Sequence, residues 1–141
     1  MRDPTVKFLS HLHTLVLRAS RGKFGTRLAN NDMLLLTTIG RSTGANHTVP
    51  LLYLTDQNDL IVIASYGGRP NHPDWYRNLL VNDRATAQVG GETRTVQSET
   101  LSTEERSEWW PRIVEAYADY ATYQSRTERL IPVVRLSSPG G

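Results

Sequence analysis

Four residues in the stretch GRSTGANHTVP, residues 40–50, have types suited to chemistry: Arg41, Ser42, Thr43 and Gly44. Arginine is a permanent cation that grips oxyanions in bidentate fashion, and the amides of a Gly-rich turn make an anion seat. A phosphate or carboxylate would fit such a loop, although on composition alone a plain polar hairpin loop is the simpler reading. A second group is Ser65-Tyr66-Gly67-Gly68, followed by a helix start at Pro73. Its glycines permit close backbone approach, and the helix N-terminus favours an anion. The pattern is not GxGxxG and no strand–helix–strand unit follows it, so a Rossmann dinucleotide site is unsupported. A third group is Tyr117, Tyr120 and Tyr123, spaced i, i+3 and followed by Gln124 and Ser125. Aromatic stripes more often build core, but buried phenols need partners, and three beside polar residues suit a ligand wall. The histidines do not form a metal site. His11 and His13 point to different sides of a helix, and His47 and His72 have no second ligand motif beside them. No GxSxG elbow is present for serine-hydrolase chemistry.

The elements that must position these groups are legible from periodicity and turn chemistry. Asp3 caps and Pro4 opens a helix to about Ser20, with Phe8, Leu9, Leu12, Leu15 and Val16 on its apolar side. Core packing is the simpler reading of that helix; attachment to a membrane surface is the second. Strands are expected at Met33–Ile39, Val49–Thr55 and Asp59–Ser65, with the turn at Asp56–Asp59 making the last two a hairpin. A short helix spans about Asp74–Val81, capped by Asn71 or His72, with Pro73 in its first turn. Ala85–Val89 and Glu92–Leu101 read as strands joined by Gly90-Gly91. Ser102-Thr-Glu-Glu105 is a capping box, and Pro111 should kink or divide the helix it opens, into 103–110 and 111–122. Ile131–Leu136 closes the chain with a strand. About six antiparallel strands arriving in hairpins favour a mainly β, α+β fold, a small barrel flanked by helices. The chain is read as one domain: residues 1–30 are the helix and a connecting segment, and 31–136 the barrel with helical excursions.

With 141 residues and no cysteine, the chain suits a single core without disulfides or thiolate metal sites. No apolar stretch approaches a membrane span and no secretory signal is visible, so the expected location is cytoplasmic, with peripheral membrane contact through the first helix as a further expectation. Residues 1–50 carry seven Arg or Lys against Asp3 and Asp32, within an overall net charge of +2. That asymmetry points to an anionic partner and is too weak for nucleic acid.

The segments LLLTTIGRSTGANHTVPLLYL, IVIASYGGRPNHPDWYRNL and SEWWPRIVEAYADYATYQSRTERLIPVV together resemble the deazaflavin-dependent nitroreductase family. The likeness runs in order from about residue 33 to 135. It implies a split β-barrel, binding of coenzyme F420 (a 5-deazaflavin with phosphate and an oligoglutamate tail), and hydride transfer from the reduced coenzyme to quinones, nitro compounds or activated enones. It also implies residue roles. Arg41, Ser42, Thr43 and Gly44, with His47 and Pro50 after them, fall in the family's phosphate and tail loop. Ala64, Ser65, Tyr66 and Gly67 fall under the deazaflavin ring, and Pro73, Trp75, Tyr76, Arg77 and Asn78 in the helix closing the pocket. Tyr117, Tyr120 and Tyr123 match substrate-side tyrosines, and Tyr120, with Ser65, is the expected catalytic donor. Where the family often carries Lys, Arg and Lys, this sequence has Ser42, His47 and Tyr66. Two other readings stay open: a non-catalytic binder of the coenzyme or a lipid-like ligand, and a related barrel using flavin mononucleotide.

Overall fold

The computed structural model describes residues 33–139. The expected N-terminal helix, all the Arg and Lys of residues 1–50 except Arg41, and His11 and His13 lie outside the described residues. Seven strands form one antiparallel sheet: β1 (Met33–Ile39), β2 (Asn46–Leu52), β3 (Leu54–Asp56), β4 (Asp59–Ile63), β5 (Arg84–Val89), β6 (Glu92–Thr100) and β7 (Val133–Ser137). Among the described residues three α-helices accompany it: α1 (Asp74–Val81), α2 (Thr103–Ala116) and α3 (Asp119–Ser125).

The strand order is β2-β1-β5-β6-β7-β4-β3, so the two edges, β2 and β3, are neighbours in sequence separated only by Tyr53. A sheet whose opposite edges are joined by one residue must curl so that they approach at Tyr53, which gives the split barrel. The expected single strand 49–55 is therefore two strands. Its first part pairs with β1, Leu51 opposite Leu34, and its second with β4, Leu54 opposite Ile61.

Alternation along each strand sorts two cores. Leu34, Leu36, Leu60, Val62, Val96, Val134 and Leu136 face the barrel interior, where Trp75, Tyr76 and Leu79 of α1 plug one end. Ile61, Ile63 and Val133 face outward under α2 and α3, against Trp109, Ile113 and Tyr120. Each such apolar side chain contributes roughly 1.5–3 kcal/mol on burial.

Both tight hairpins form as read: Asp56 pairs with Asp59, and Val89 with Glu92. The capping box also forms, Ser102 accepting from the Glu105 amide at 3.2 Å. Pro111 does not divide the helix. α2 runs through it to Ala116, and the break falls at Tyr117 and Ala118. Ser107 and Pro111 are both exposed, so water can serve the carbonyl that lacks its proline N–H, while buried Trp109 and Ile113 hold the other side.

Candidate functional site

The loop after β1 is a tight turn whose glycines have definite jobs. The Gly40 amide donates to Ala45 O at 2.7 Å, and the Gly44 amide, with φ +76°, to Gly40 O at 2.9 Å. The Ala45 amide donates to Thr43 Oγ1 at 3.1 Å. The amides near Gly44 are thus consumed by the turn itself, and the expected anion seat narrows to those of Ser42 and Thr43, which make no hydrogen bond among the described residues. His47 sits over the loop: a Cβ on Gly40 would lie 2.8 Å from its Nε2. It pairs with Thr38 across β1 and β2, whereas Pro50 pairs with Leu35 and is buried on the other face of the sheet. The structure does not bring Pro50 to the site.

Arg41 is not an unencumbered cation. Its Nη1 donates to Asn78 Oδ1 at 2.7 Å, its amide to the same oxygen at 3.2 Å, and its Nη2 to Asp74 Oδ1 at 3.2 Å. Asn78, 2% exposed, completes its amide by donating to Thr38 Oγ1 at 3.1 Å. Arg77 Nη1 approaches the same Asp74 Oδ1 at 3.9 Å. The Gly40–Ala45 loop is thereby fastened to the first turns of α1, and Asp74 partly neutralises two arginines there.

α1 itself starts without the expected cap. Pro73 occupies the N-cap position, its carbonyl accepting from the Tyr76 and Arg77 amides, and neither Asn71 nor His72 bonds an amide of the first turn. Trp75 and Tyr76 face the interior core, and the Tyr76 hydroxyl bonds Thr100 Oγ1 at 2.8 Å. Both are packing residues first.

Between β4 and α1 lies a 3-10 turn, Tyr66–Gly68, with a run of left-handed residues: Tyr66 at φ 51°, Gly67 at 64° and Gly68 at 83°. Such values are unusual for tyrosine, whose ring lies under the Arg69 guanidinium at 4.1 Å. Gly68 is required by α3, since a Cβ there would stand 2.5 Å from the Tyr123 carbonyl. Gly67 faces open space. Ser65 and Ala64 are buried, and the amides of Ser65 and Tyr66 make no hydrogen bond among the described residues.

The residue that holds this turn was missed in the sequence. Arg129, in the loop between α3 and β7, donates Nε to Arg69 O at 2.9 Å, Nη2 to Ser65 O at 2.7 Å, and Nη1 to Ala64 O at 3.2 Å and His72 Nδ1 at 3.0 Å. A guanidinium has only hydrogens to give, so His72 accepts at Nδ1 and carries its proton on Nε2. Burial, then the charges of Arg129 and Arg77, hold the imidazole below the ordinary histidine range. Partners 57–65 positions away leave no local signature in the sequence.

The three tyrosines come together but do not share one helix. Tyr117 caps the end of α2, and Tyr120 and Tyr123 lie on α3. Tyr120 stacks edge-to-face on both neighbours, with centroids at 6.1 and 5.8 Å. The Tyr117 hydroxyl donates to Tyr53 O at 3.0 Å, at the junction of the two sheet edges. Tyr120 is 7% exposed and its hydroxyl bonds nothing among the described residues. Burial, with lesser contributions from Tyr117, Tyr123 and Asp119, pushes its phenol well above the usual range, so it stays protonated. Gln124 is structural: its Oε1 accepts from Arg106 at 2.9 Å and the Ile131 amide at 3.0 Å, and its Nε2 donates to Arg129 O at 2.8 Å. Among the described residues no cluster of histidine and acidic groups could hold a metal, and no described helix is long and apolar enough to cross a membrane.

Residues 9–138 match the model of the F420H(2)-dependent quinone reductase family. A Mycobacterium tuberculosis protein whose name places it with F420H(2)-dependent quinone reductases is 48% identical over 103 residues, covering 73% of this chain and 87% of that protein. An F420H(2)-dependent quinone reductase of the same species is 35% identical over 133 residues, covering 92% of this chain and 89% of its own length. A solved F420-H2-dependent reductase superposes with a TM-score of 0.68 at 39% identity, covering 74% of this chain and 93% of that one.

Proposed function

Since this chain belongs to the F420H(2)-dependent quinone reductase family, we propose that the turn at Ser65–Gly67 seats the deazaflavin ring of coenzyme F420, for reduction of a quinone by hydride transfer. The chain is an oxidoreductase and its cofactor is F420. The residues fit that group. The Ser65 and Tyr66 amides are donors for the acceptor atoms of a heterocycle, and Gly67 leaves its face of the turn open. Arg41, Arg77 and the Ser42 and Thr43 amides offer an anion seat for phosphate and carboxylate groups.

When bound, F420H2 supplies the hydride. The protein's own part is orientation and charge placement. Tyr120, kept protonated by burial, is the candidate donor to the substrate oxygen on which negative charge develops, with Tyr123 beside it. Tyr117 serves by fixing the end of this stack to Tyr53. An aromatic cluster with a buried phenol donor also suits nitro compounds and activated enones, which we include in the proposed acceptor range.

The carrying observation is the left-handed turn with its two amide donors, packed against α3 at Gly68 and followed by α1, whose Asp74 and Asn78 hold Arg41. The test is oxidation of F420H2 by menadione with and without protein, beside titrations of F420 and flavin mononucleotide. Rates above the solution reaction, with F420 bound more tightly than the flavin, support the reading. Binding without turnover would make the protein a carrier, and equal flavin affinity would remove the F420 assignment of the turn.

A further inference from the structure

We infer that Arg129 is a positioning residue for the coenzyme turn: it aims the amides of Ser65 and Tyr66 away from its own guanidinium and strengthens them as donors to a ring acceptor. The inference rests on the reading that the ring sits at this turn. In a planar trans peptide the carbonyl and the following N–H point in opposite directions. Arg129 holds Ala64 O and Ser65 O, the carbonyls of the two peptide units whose N–H groups belong to Ser65 and Tyr66. Fixing those oxygens on one side sends both N–H groups to the other. A cation at the carbonyl also polarises each unit, so its N–H donates more strongly.

The rest of the loop is built to keep the guanidinium in place. Gln124 holds the Arg129 carbonyl, the Arg129 amide donates to Thr127 Oγ1 at 3.3 Å, and Arg106 fastens Ile131 O at 2.8 Å. The fork reaches four acceptors across residues 64–72, which a lysine's point charge on a flexible stem cannot reproduce. The bond to His72 Nδ1 gives a signature that needs no coenzyme.

The test compares wild type, Arg129→Met, Arg129→Lys and Gly67→Ala. Imidazole nitrogen NMR of the ligand-free proteins should show His72 as the Nε2–H tautomer in wild type and lose that fixed state in Arg129→Met. F420 titration should show affinity reduced roughly tenfold or more in folded Arg129→Met, the loss of charged hydrogen bonds, and by less in Arg129→Lys. The KM for menadione should stay near wild type. If the methionine variant does not fold, Arg129→Lys decides, and wild-type F420 affinity in it overturns the inference. Gly67→Ala strains the turn at φ +64° without touching Arg129. Weakened binding there with wild-type affinity in Arg129→Met sinks the positioning role and leaves the site standing. Wild-type affinity in both variants removes the site as well.

Discussion

The side-chain oxygen of Asn78 accepts from Arg41 twice, from Nη1 at 2.7 Å and from the backbone amide at 3.2 Å, so a buried amide carries the loop after β1. Asn78→Leu removes both bonds and leaves the buried Thr38 hydroxyl without its partner, a loss of about 1–3 kcal/mol of stability. Arg41→Ala keeps the Asn78–Thr38 bond and should destabilise less. It should still weaken F420 binding by about 1.5–3 kcal/mol, more than Ser42→Ala. Urea denaturation beside coenzyme titration separates the two effects. Unchanged affinity in Arg41→Ala would leave the loop as a turn and nothing more.

Asp74 lies 3.2 Å from Arg41 and 3.9 Å from Arg77 and is largely exposed. An anionic ligand held by Arg41 and Arg77 would have to compete with it for both cations. Asp74→Asn should therefore tighten F420 binding at low salt, lose the gain at high salt, and gain least for a coenzyme stripped of its glutamates. Weaker binding in Asp74→Asn would mean that the carboxylate orients the arginines and does not compete for them.

Tyr120→Phe removes one hydroxyl from a ring that is otherwise packed on Tyr117 and Tyr123. If that hydroxyl donates to the substrate, turnover falls by roughly 2–4 kcal/mol in barrier while F420 affinity holds. Because burial raises this phenol, no ionisation of Tyr120 should appear in the pH–rate profile at neutral pH. Steady-state rates with a quinone and an enone check both points, and unchanged kcat with each would assign Tyr120 to packing.

His72 is held below its ordinary value of 6.5 by burial, Arg129 and Arg77, while its ring edge meets Tyr76 at 5.0 Å. The unfolded chain then binds the proton more readily than the folded one. Stability should be full above pH 6.5 and decline as pH falls from there toward the folded value, where the native imidazole must charge beside two arginines. His72→Gln should flatten this part of the profile. Denaturation midpoints on either side of the window measure it; identical slopes in both proteins would count against the assignment.

The parts legible in the sequence were those fixed by short-range chemistry. The Asp56–Asp59 and Gly90-Gly91 hairpins, the Ser102–Glu105 capping box and the limits of β1 follow from turn geometry, capping and alternation over a few residues. The tyrosine cluster was also visible, because i, i+3 spacing survives the break at Tyr117. Barrel closure decided the rest. Nothing local in 49–55 marks Tyr53 as the point where one sheet edge becomes the other, since both halves satisfy the same alternation. The tolerance of Pro111 depends on which side of α2 meets solvent. Arg41 meets Asn78 across 37 positions, and Arg129 meets Ser65 across 64. An arginine's residue type fixes its charge and its fork of donors, but its acceptors are backbone carbonyls that every residue possesses. Only the curled sheet and the loops it brings together determine which of them it finds.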